Sequence, residues 1–225
     1  MGDAVGQMLA SAVGIAISPL PLIAVVLMLA TPRGKINGTA FTLGWMLTLG
    51  VITTVVVLAG SGAGADDGGA PADWTYWLKL ALGVLFVLMG AKQWKDRPRE
   101  GQEHTLPGWM RAIDRVTPSK AAGLASLLSG ANPKNLVLAI GGAASIASSP
   151  ASADGKAVAG VLFVLIGSVC VLLPLLVYVF GGDRSATVLG GLKAWMAEHN
   201  SAIMTVVLVV LGAKYVGDAI SGLAS

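Results

Sequence analysis

The run AAGLASLLSGANPKNLVLAIGGAASIA (121–147) contains a single charged residue, Lys134, at its midpoint. Thirteen residues separate Lys134 from either end of the run. That distance is ~20 Å of helix, which is too far for a lysine side chain to reach the membrane surface. A charge at the centre of a bilayer costs at least ~2.5–3.5 kcal/mol, so it needs polar partners. Because Pro133 removes a backbone donor beside it, the sequence predicts a polar helix break inside a membrane-crossing segment.

Five further apolar runs accompany this one. Residues 4–32, 36–65 and 157–182 contain no charged side chain, and shorter runs cover roughly 75–94 and 199–217. A membrane-crossing helix needs ~20 such residues. The whole chain is 55% hydrophobic and 12% charged, whereas soluble domains carry about 25% charged residues. This composition excludes a soluble enzyme, a nucleic-acid-binding module and a disordered protein. It predicts an all-α integral membrane protein with six transmembrane helices.

Residues that perform catalysis or bind metals are scarce. Cys170 is the single cysteine and lies within an apolar run, and the two histidines, His104 and His199, lie far apart in the sequence. We find no nucleophile–base pair and no metal-ligand spacing in the sequence. We therefore expect no enzymatic activity, no metal site and no cofactor.

Lysine and arginine residues predict the orientation. The loops at 33–35, 92–120 and 183–198 together hold eleven of them. Because cytoplasmic loops are enriched in these residues, we place these three loops in the cytoplasm and both termini outside. Apolar residues at helical spacing also predict two amphipathic helices on the cytoplasmic surface, at Leu106–Val116 and Val188–Met196.

The two halves of the chain match at an offset of 122 residues. The matches pair glycine and aromatic positions in the same helical order: Gly38 and Phe41 with Gly160 and Phe163, and Gly90-Ala91-Lys92 with Gly212-Ala213-Lys214. Since each half has three helices, the second half must enter the membrane from the opposite side. We predict a first three-helix repeat at 1–95, a basic cytoplasmic linker at 96–119 and a second, inverted repeat at 120–225.

Helices 1 and 4 are predicted to be broken at equivalent positions. Ser18-Pro19-Leu20-Pro21 interrupts the first apolar run as Asn132-Pro133-Lys134-Asn135 interrupts the fourth. Broken helices in corresponding places of two repeats are the best sequence indication of a transport site. The candidate substrate-binding residues are Lys134, Asn132, Asn135 and Ser18, and the candidate helix-break residues are Pro19, Pro21 and Pro133.

Two alternatives to this interpretation stay open. The breaks could be ordinary proline kinks, as we expect for Pro174 in the fifth helix. Lys134 could also have a structural role, tying the broken fourth helix to backbone carbonyls of the first.

Three stretches carry a family resemblance. SPLPLIAVVLMLATPRGKINGTAFTLGW (18–45), the run from GWMRAID to SGANPKNLVLA (108–139) and LKAWMAEHNSAIMTVVLVVLGAKYVGD (192–218) resemble the glycopeptidolipid and sulfolipid-addressing protein family, a branch of the lysine exporter superfamily. The resemblance implies a protein of the inner membrane of bacteria with elaborate lipid envelopes. It also implies a role in moving glycolipids toward the cell surface, beside a larger lipid transporter.

The sequence therefore favours a transporter of glycolipids or lipid precursors, with an anionic headgroup near Lys134 between the repeats. One alternative is an exporter of a neutral or anionic small solute. Another is a non-transporting accessory subunit that docks a larger lipid transporter through its basic 92–120 loop. Glycine-rich helix faces also suggest a homodimer. We expect no nucleic-acid partner.

Overall fold

The computed structural model describes residues 2–63, 73–95 and 116–224, and those residues form helices with no strand among them. Nine α-helices follow one another in the chain: α1 Gly2–Ala16, α2 Pro19–Leu29, α3 Gly34–Ala63, α4 Asp73–Lys95, α5 Pro118–Ser126, α6 Pro133–Ala147, α7 Ala153–Gly167, α8 Val169–Phe180 and α9 Ser185–Leu223. A π-helical turn, Leu127–Ala131, joins α5 to α6, and a 3-10 turn, Gly182–Arg184, precedes α9. The predicted all-α class is confirmed.

Several of these helices are long and apolar enough to cross a membrane. Gly34–Gly60 and Gly182–Leu223 each satisfy this criterion alone. Two bent pairs satisfy it together, Met8–Ala16 with Pro19–Leu29 and Ala153–Gly167 with Val169–Phe180. The described residues thus contain two candidate spans, or four if each bent pair is one span. These helices indicate a membrane protein.

The two predicted helix breaks are confirmed. α1 and α2 meet at an angle of 44°, with Ser18 in an extended conformation between them. The π-helical turn and α6 are separated by Asn132, which is also extended, with φ −72° and ψ 118°. In both places a proline occupies the first turn of the following helix, which is the position where a new helix tolerates proline best.

A third break was not predicted. α7 ends at Gly167 and α8 begins at Val169, with a bend of 64° between them. Pro174, where we expected a kink, lies inside α8, seven residues from this break. The 64° bend lies at Gly167-Ser168, in agreement with the tendency of Gly/Ser pairs to kink helices.

The final helix is longer than the sequence suggested. We expected a loop at 183–198 with its own surface helix at Val188–Met196, followed by a separate membrane segment. These residues are helical, but no break separates them from the rest of α9. Residues 193–211 contain neither glycine nor proline, so nothing stops the helix there. The other predicted surface helix, Leu106–Val116, lies outside the described residues except at its last position.

The chain forms two compact units. The first comprises Met1–Gly62 and Thr105–Ala197, and the second comprises Ala63–His104 and Glu198–Ser225. In the first unit α1 packs against α6 and α7, and α2 packs against α8. In the second unit α4 packs against the C-terminal part of α9, where the rings of Phe86 and Tyr215 meet edge to face at 5.9 Å.

Glycine contacts within the second unit are reciprocal. A Cβ placed on Gly90 would lie 2.9 Å from Val209 Cγ2, and one placed on Gly212 would lie 2.7 Å from Val87 Cγ2. Positions 90 and 212 differ by 122, as do 87 and 209. Gly90 lies against Val209 and Gly212 lies against Val87. The offset that relates the two glycines therefore also relates the two valines that they contact.

The first unit contains a similar pair of contacts. A Cβ on Gly38 would lie 3.7 Å from Leu175 Cδ1, and a Cβ on Gly160 would lie 3.7 Å from Thr53 Cγ2. Positions 38 and 160 differ by 122, as do 53 and 175. The offset found in the sequence thus recurs in the packing of α3 against α7 and α8.

Candidate functional site

The prolines of the first break leave a backbone carbonyl without its helical partner. In an α-helix the N–H of residue 21 would donate to the carbonyl of residue 17, but Pro21 has no N–H. The Ile17 carbonyl accepts instead from Lys134 Nζ, at 3.1 Å. The charged residue of the fourth segment therefore bonds directly to the break in the first.

Side chains from both breaks form one hydrogen-bonded network around this contact. Lys134 Nζ also donates to Ser18 Oγ at 3.0 Å, and the Ser18 hydroxyl donates to Asn135 Oδ1 at 3.1 Å. The Asn135 amide nitrogen then donates to the Leu128 carbonyl at 2.9 Å. Leu128 lies in the π-helical turn, where its carbonyl would pair with residue 133. Because Pro133 has no N–H, Asn135 supplies the missing donor.

The network is deeply buried. Lys134 is 2% exposed, Asn135 is 1% exposed and Ser18 is 4% exposed. Three of the four predicted substrate-binding residues thus meet in one buried polar centre. We call Ser18, Lys134, Asn135 and the Ile17 and Leu128 carbonyls the break network. Because the network is buried, breaking any one of its hydrogen bonds would cost more free energy than breaking the same bond at the surface.

The fourth predicted residue, Asn132, has a different role in this conformation. Its side-chain oxygen accepts the backbone N–H of Lys134 at 3.1 Å, which caps the N-terminus of α6. Asn132 therefore fixes where α6 begins, and with it the position of Lys134. The structure places its side chain beside the break network as a positioning residue.

The three predicted helix-break prolines differ in environment. Pro19 and Pro21 are buried in the first turn of α2, whereas Pro133 is exposed in the first turn of α6. Pro19 leaves the Ile15 carbonyl without a helical partner, and Cys170 Sγ of α8 lies 4.0 Å from that oxygen. Sequence reasoning missed Cys170, because a lone cysteine in an apolar run gives no sign of a contact so distant in the chain.

Five buried polar side-chain atoms make no hydrogen bond within the described part of the chain. They are Asn37 Oδ1, Thr42 Oγ1 and Trp45 Nε1 on α3, Ser168 Oγ at the third break and Asn200 Oδ1 on α9. Leu49, one turn beyond Trp45, packs against the same break, 3.0 Å from where a Cβ of Gly167 would lie. Unpartnered buried groups of this kind are rare, and water or a polar ligand commonly accounts for them.

The break network has the electrostatics of an anion site. The ammonium group of Lys134 lies where α2 and α6 both begin, at Pro19 and Pro133. Helix N-termini carry a partial positive charge and favour anions. The two carbonyls that would oppose an anion, at Ile17 and Leu128, are already occupied by donors. For cations the site is unsuited, and no cluster of metal-binding side chains occurs in 2–63, 73–95 or 116–224.

An all-helical membrane protein with a buried cation between two proline-broken helices is the class that this fold and site define. The chain belongs to the family described as Sap, sulfolipid-1-addressing protein, whose family model matches residues 8–221. The family predicted from the sequence is therefore confirmed. No curated protein and no solved structure matches the chain.

Proposed function

We propose that this chain moves anionic glycolipids or lipid precursors across the bacterial inner membrane toward the envelope surface. The single observation that carries the proposal is the buried ammonium group of Lys134, held between the N-termini of α2 and α6. The family description names a sulfolipid. Lipids of that class carry a sulfur oxyanion, which is a ligand that an ammonium group attracts.

In the proposed mechanism the headgroup exchanges with the backbone. Lys134 Nζ donates to the Ile17 carbonyl and to Ser18 Oγ in the described conformation. A headgroup oxyanion would replace the Ile17 carbonyl when the break between α1 and α2 opens. Ser18 and Asn135 would supply further donors, and the acyl tails would stay in the surrounding lipid. The carbonyl and the headgroup thus compete for the same charge, so the site can release its lipid again.

The proposed architecture is that of an inverted-repeat carrier with six transmembrane helices and both termini outside. The reciprocal contacts at an offset of 122 support it, because a twofold relation between two halves makes contacts occur in such pairs. The extended residues Ser18 and Asn132, each followed by a proline, support the equivalence of the two breaks. We extend this to the lysine exporter superfamily and to a homodimer, both as proposals.

A lipid-export assay tests the function. Surface-exposed and cell-retained lipids would be measured in a strain that lacks this protein and is complemented with wild type, Lys134→Arg or Lys134→Gln. We expect one anionic lipid class to accumulate inside, with rescue by wild type and partial rescue by Lys134→Arg. Lys214→Gln is the matched control, since Lys214 is exposed and paired with Asp218 at 2.7 Å. An unchanged lipid profile would reject lipid export and make small-solute export from proteoliposomes the next assay.

The same contacts favour a second candidate, a non-transporting accessory subunit of a larger lipid transporter. Lys134 already bonds to oxygens of both broken segments, as expected if its role is to hold them together. In that case Lys134→Gln would lower the protein's stability, but export per folded molecule would stay normal. Charge reversal in the basic loop at 92–120 would then be the more damaging change.

A further inference from the structure

An open groove of about 550 Å³ lies between α3 and α7, apart from the break network. Its walls come from residues 46–58 of α3 and 153–165 of α7. Twelve residues of helix span ~18 Å, which is close to one leaflet of a hydrocarbon core ~30 Å thick. The groove thus has the length of one acyl chain in a single leaflet.

Two glycines keep the groove open. A Cβ on Gly50 would meet no atom within 4 Å, and a Cβ on Gly160 would meet Thr53 alone, at 3.7 Å. Apolar side chains such as Val161 and Leu165, which are 60% and 42% exposed, form the remaining wall. An elongated apolar channel with a flat glycine floor suits a hydrocarbon chain.

A positive charge stands at one end of the groove. Lys156 lines it in the first turns of α7, and its Nζ donates to the Ala147 carbonyl at the end of α6, at 2.6 Å. Ser152 caps α7 nearby by accepting the backbone N–H of Gly155 at 3.3 Å. The bond to Ala147 holds the ammonium group at the mouth of the groove, where it attracts an anionic headgroup.

The offset of 122 residues relates this groove to a second position on α3, and at that position a side chain occupies the space. Gly38 is the counterpart of Gly160, but a Cβ on Gly38 would lie 2.5 Å from Leu29 Cδ2. Leu29 of α2 therefore covers the α3 glycine near the other end of that helix. The groove is one-sided. With the predicted orientation it opens into the outer leaflet.

We propose that the groove between α3 and α7 holds one acyl chain of an anionic lipid in the outer leaflet, with its headgroup at Lys156. The direction of transport in this inference rests on the proposed function. The groove would receive the lipid after its headgroup has passed Lys134, so it is an exit site.

Photolabelling of the full chain in nanodiscs tests the site. The probes would be phosphatidylglycerol and phosphatidylcholine, each with a diazirine in the middle of one acyl chain, and the adducts would be mapped by peptide mass spectrometry. We expect adducts at the groove residues of α3 and α7, with about a fivefold preference for phosphatidylglycerol from the one lysine charge. Lys156→Gln keeps a donor for the Ala147 carbonyl but should abolish the preference, and Lys156→Arg should keep it.

Filling the groove provides the second arm. Gly160→Leu should reduce groove adducts about tenfold, the effect of ~1.4 kcal/mol in binding free energy. Gly217→Leu is the matched control, because a Cβ there also meets no atom within 4 Å and Gly217 lies outside the groove. Adducts spread evenly over all exposed helix faces would overturn the proposal. Protein–protein cross-links at the groove in place of lipid adducts would overturn it in favour of a second copy of this chain.

These results separate the site from the function. If the groove labels as expected but the deletion strain exports lipids normally, the acyl-chain site stands and the proposed function fails. If export requires this chain but Gly160→Leu exports normally and loses no label, the proposed function stands and the groove inference fails.

Discussion

The break between α1 and α2 and the break between α7 and α8 solve the same geometric problem in different ways. The second is the sharper bend, 64° against 44°, yet it keeps its backbone hydrogen bonds. Ser168 donates its N–H to the Val164 carbonyl at 3.0 Å, and its own carbonyl accepts from Leu172 at 2.8 Å. At the first break, by contrast, the Ile17 carbonyl bonds to a side chain from a distant segment.

This difference shows that the bend angle is a poor guide to where a helix break recruits polar chemistry. The useful quantity is the number of backbone donors that the break removes. Pro19 and Pro21 remove two donors and expose carbonyls to Cys170 and Lys134. Gly167 and Ser168 remove none, and the Ser168 hydroxyl stays without a partner in the described residues. The buried lysine therefore lies at the gentler bend, where carbonyls need a donor.

The largest effect is expected from Lys134→Met, which keeps the length of the side chain but removes its donors. The Ile17 carbonyl and Ser18 Oγ both lose a buried partner, so the free energy of unfolding should fall by ~3 kcal/mol. Reversible unfolding in mixed detergent micelles measures this. Lys134→Arg should recover more than half of the loss because it retains charge and donors. A loss below ~1 kcal/mol for Lys134→Met would contradict the structural importance of the first break.

Asn135→Leu should have the next largest effect. It leaves the Leu128 carbonyl unpartnered and removes the acceptor of the Ser18 hydroxyl, which together should cost ~2 kcal/mol of unfolding free energy. Hydrogen exchange would also rise at the π-helical turn, since its carbonyl is no longer held. Asn135→Asp preserves the acceptor for Ser18, removes the donor for Leu128 and places a carboxylate near the Lys134 ammonium group, so it should recover part of the loss. A loss below ~0.5 kcal/mol for Asn135→Leu would contradict the contribution of both bonds.

The sequence predicted the breaks in the first and fourth apolar runs because proline acts locally and polar residues mark the affected turn. Lys134 could be predicted to have polar partners, because a charge in the middle of an apolar run needs them. Its structural role in tying two segments together was one of the alternatives left open, and the contacts to Ile17 and Ser18 are of that kind. The role of these residues in binding substrate stays a prediction.

Other features had no usable sequence signal. A Gly-Ser pair bends a helix only where packing favours it, so Gly167-Ser168 resembled many unbent glycine positions in the chain. The partners of Lys134 include a backbone carbonyl, and every residue has one. The groove beside Lys156 depends on how α3 and α7 are placed, which helical periodicity cannot give. In α9 a sequence signal was present but misleading. Charged residues at 193–198 suggested a loop, but the stretch has no helix breaker and the helix is continuous.

A third prediction concerns Ser18, whose hydroxyl bridges the ammonium group and an amide. Ser18→Ala should lower the unfolding free energy by about 1 kcal/mol, since Lys134 and Asn135 each lose one of their bonds. The effect should depend on Lys134: a double-mutant cycle of Ser18→Ala with Lys134→Met should give a coupling energy of ~1 kcal/mol. Additive losses would mean that the two residues act independently, against the geometry of the break network.

The smallest effect should come from Ser168→Ala at the sharper bend. Its hydroxyl is buried and makes no bond within the described part of the chain, so removing it should change the unfolding free energy by less than ~0.5 kcal/mol or stabilise the protein slightly. Ser18 and Ser168 occupy the same kind of position, directly before the first residue of a helix. The pair therefore isolates the polar partners from the bend itself. A loss at Ser168→Ala as large as that at Ser18→Ala would show that the Ser168 hydroxyl has a bound partner, such as a water molecule. The two breaks would then differ in the source of the hydrogen-bond partner. The chain itself provides it at the first break, and solvent provides it at the third.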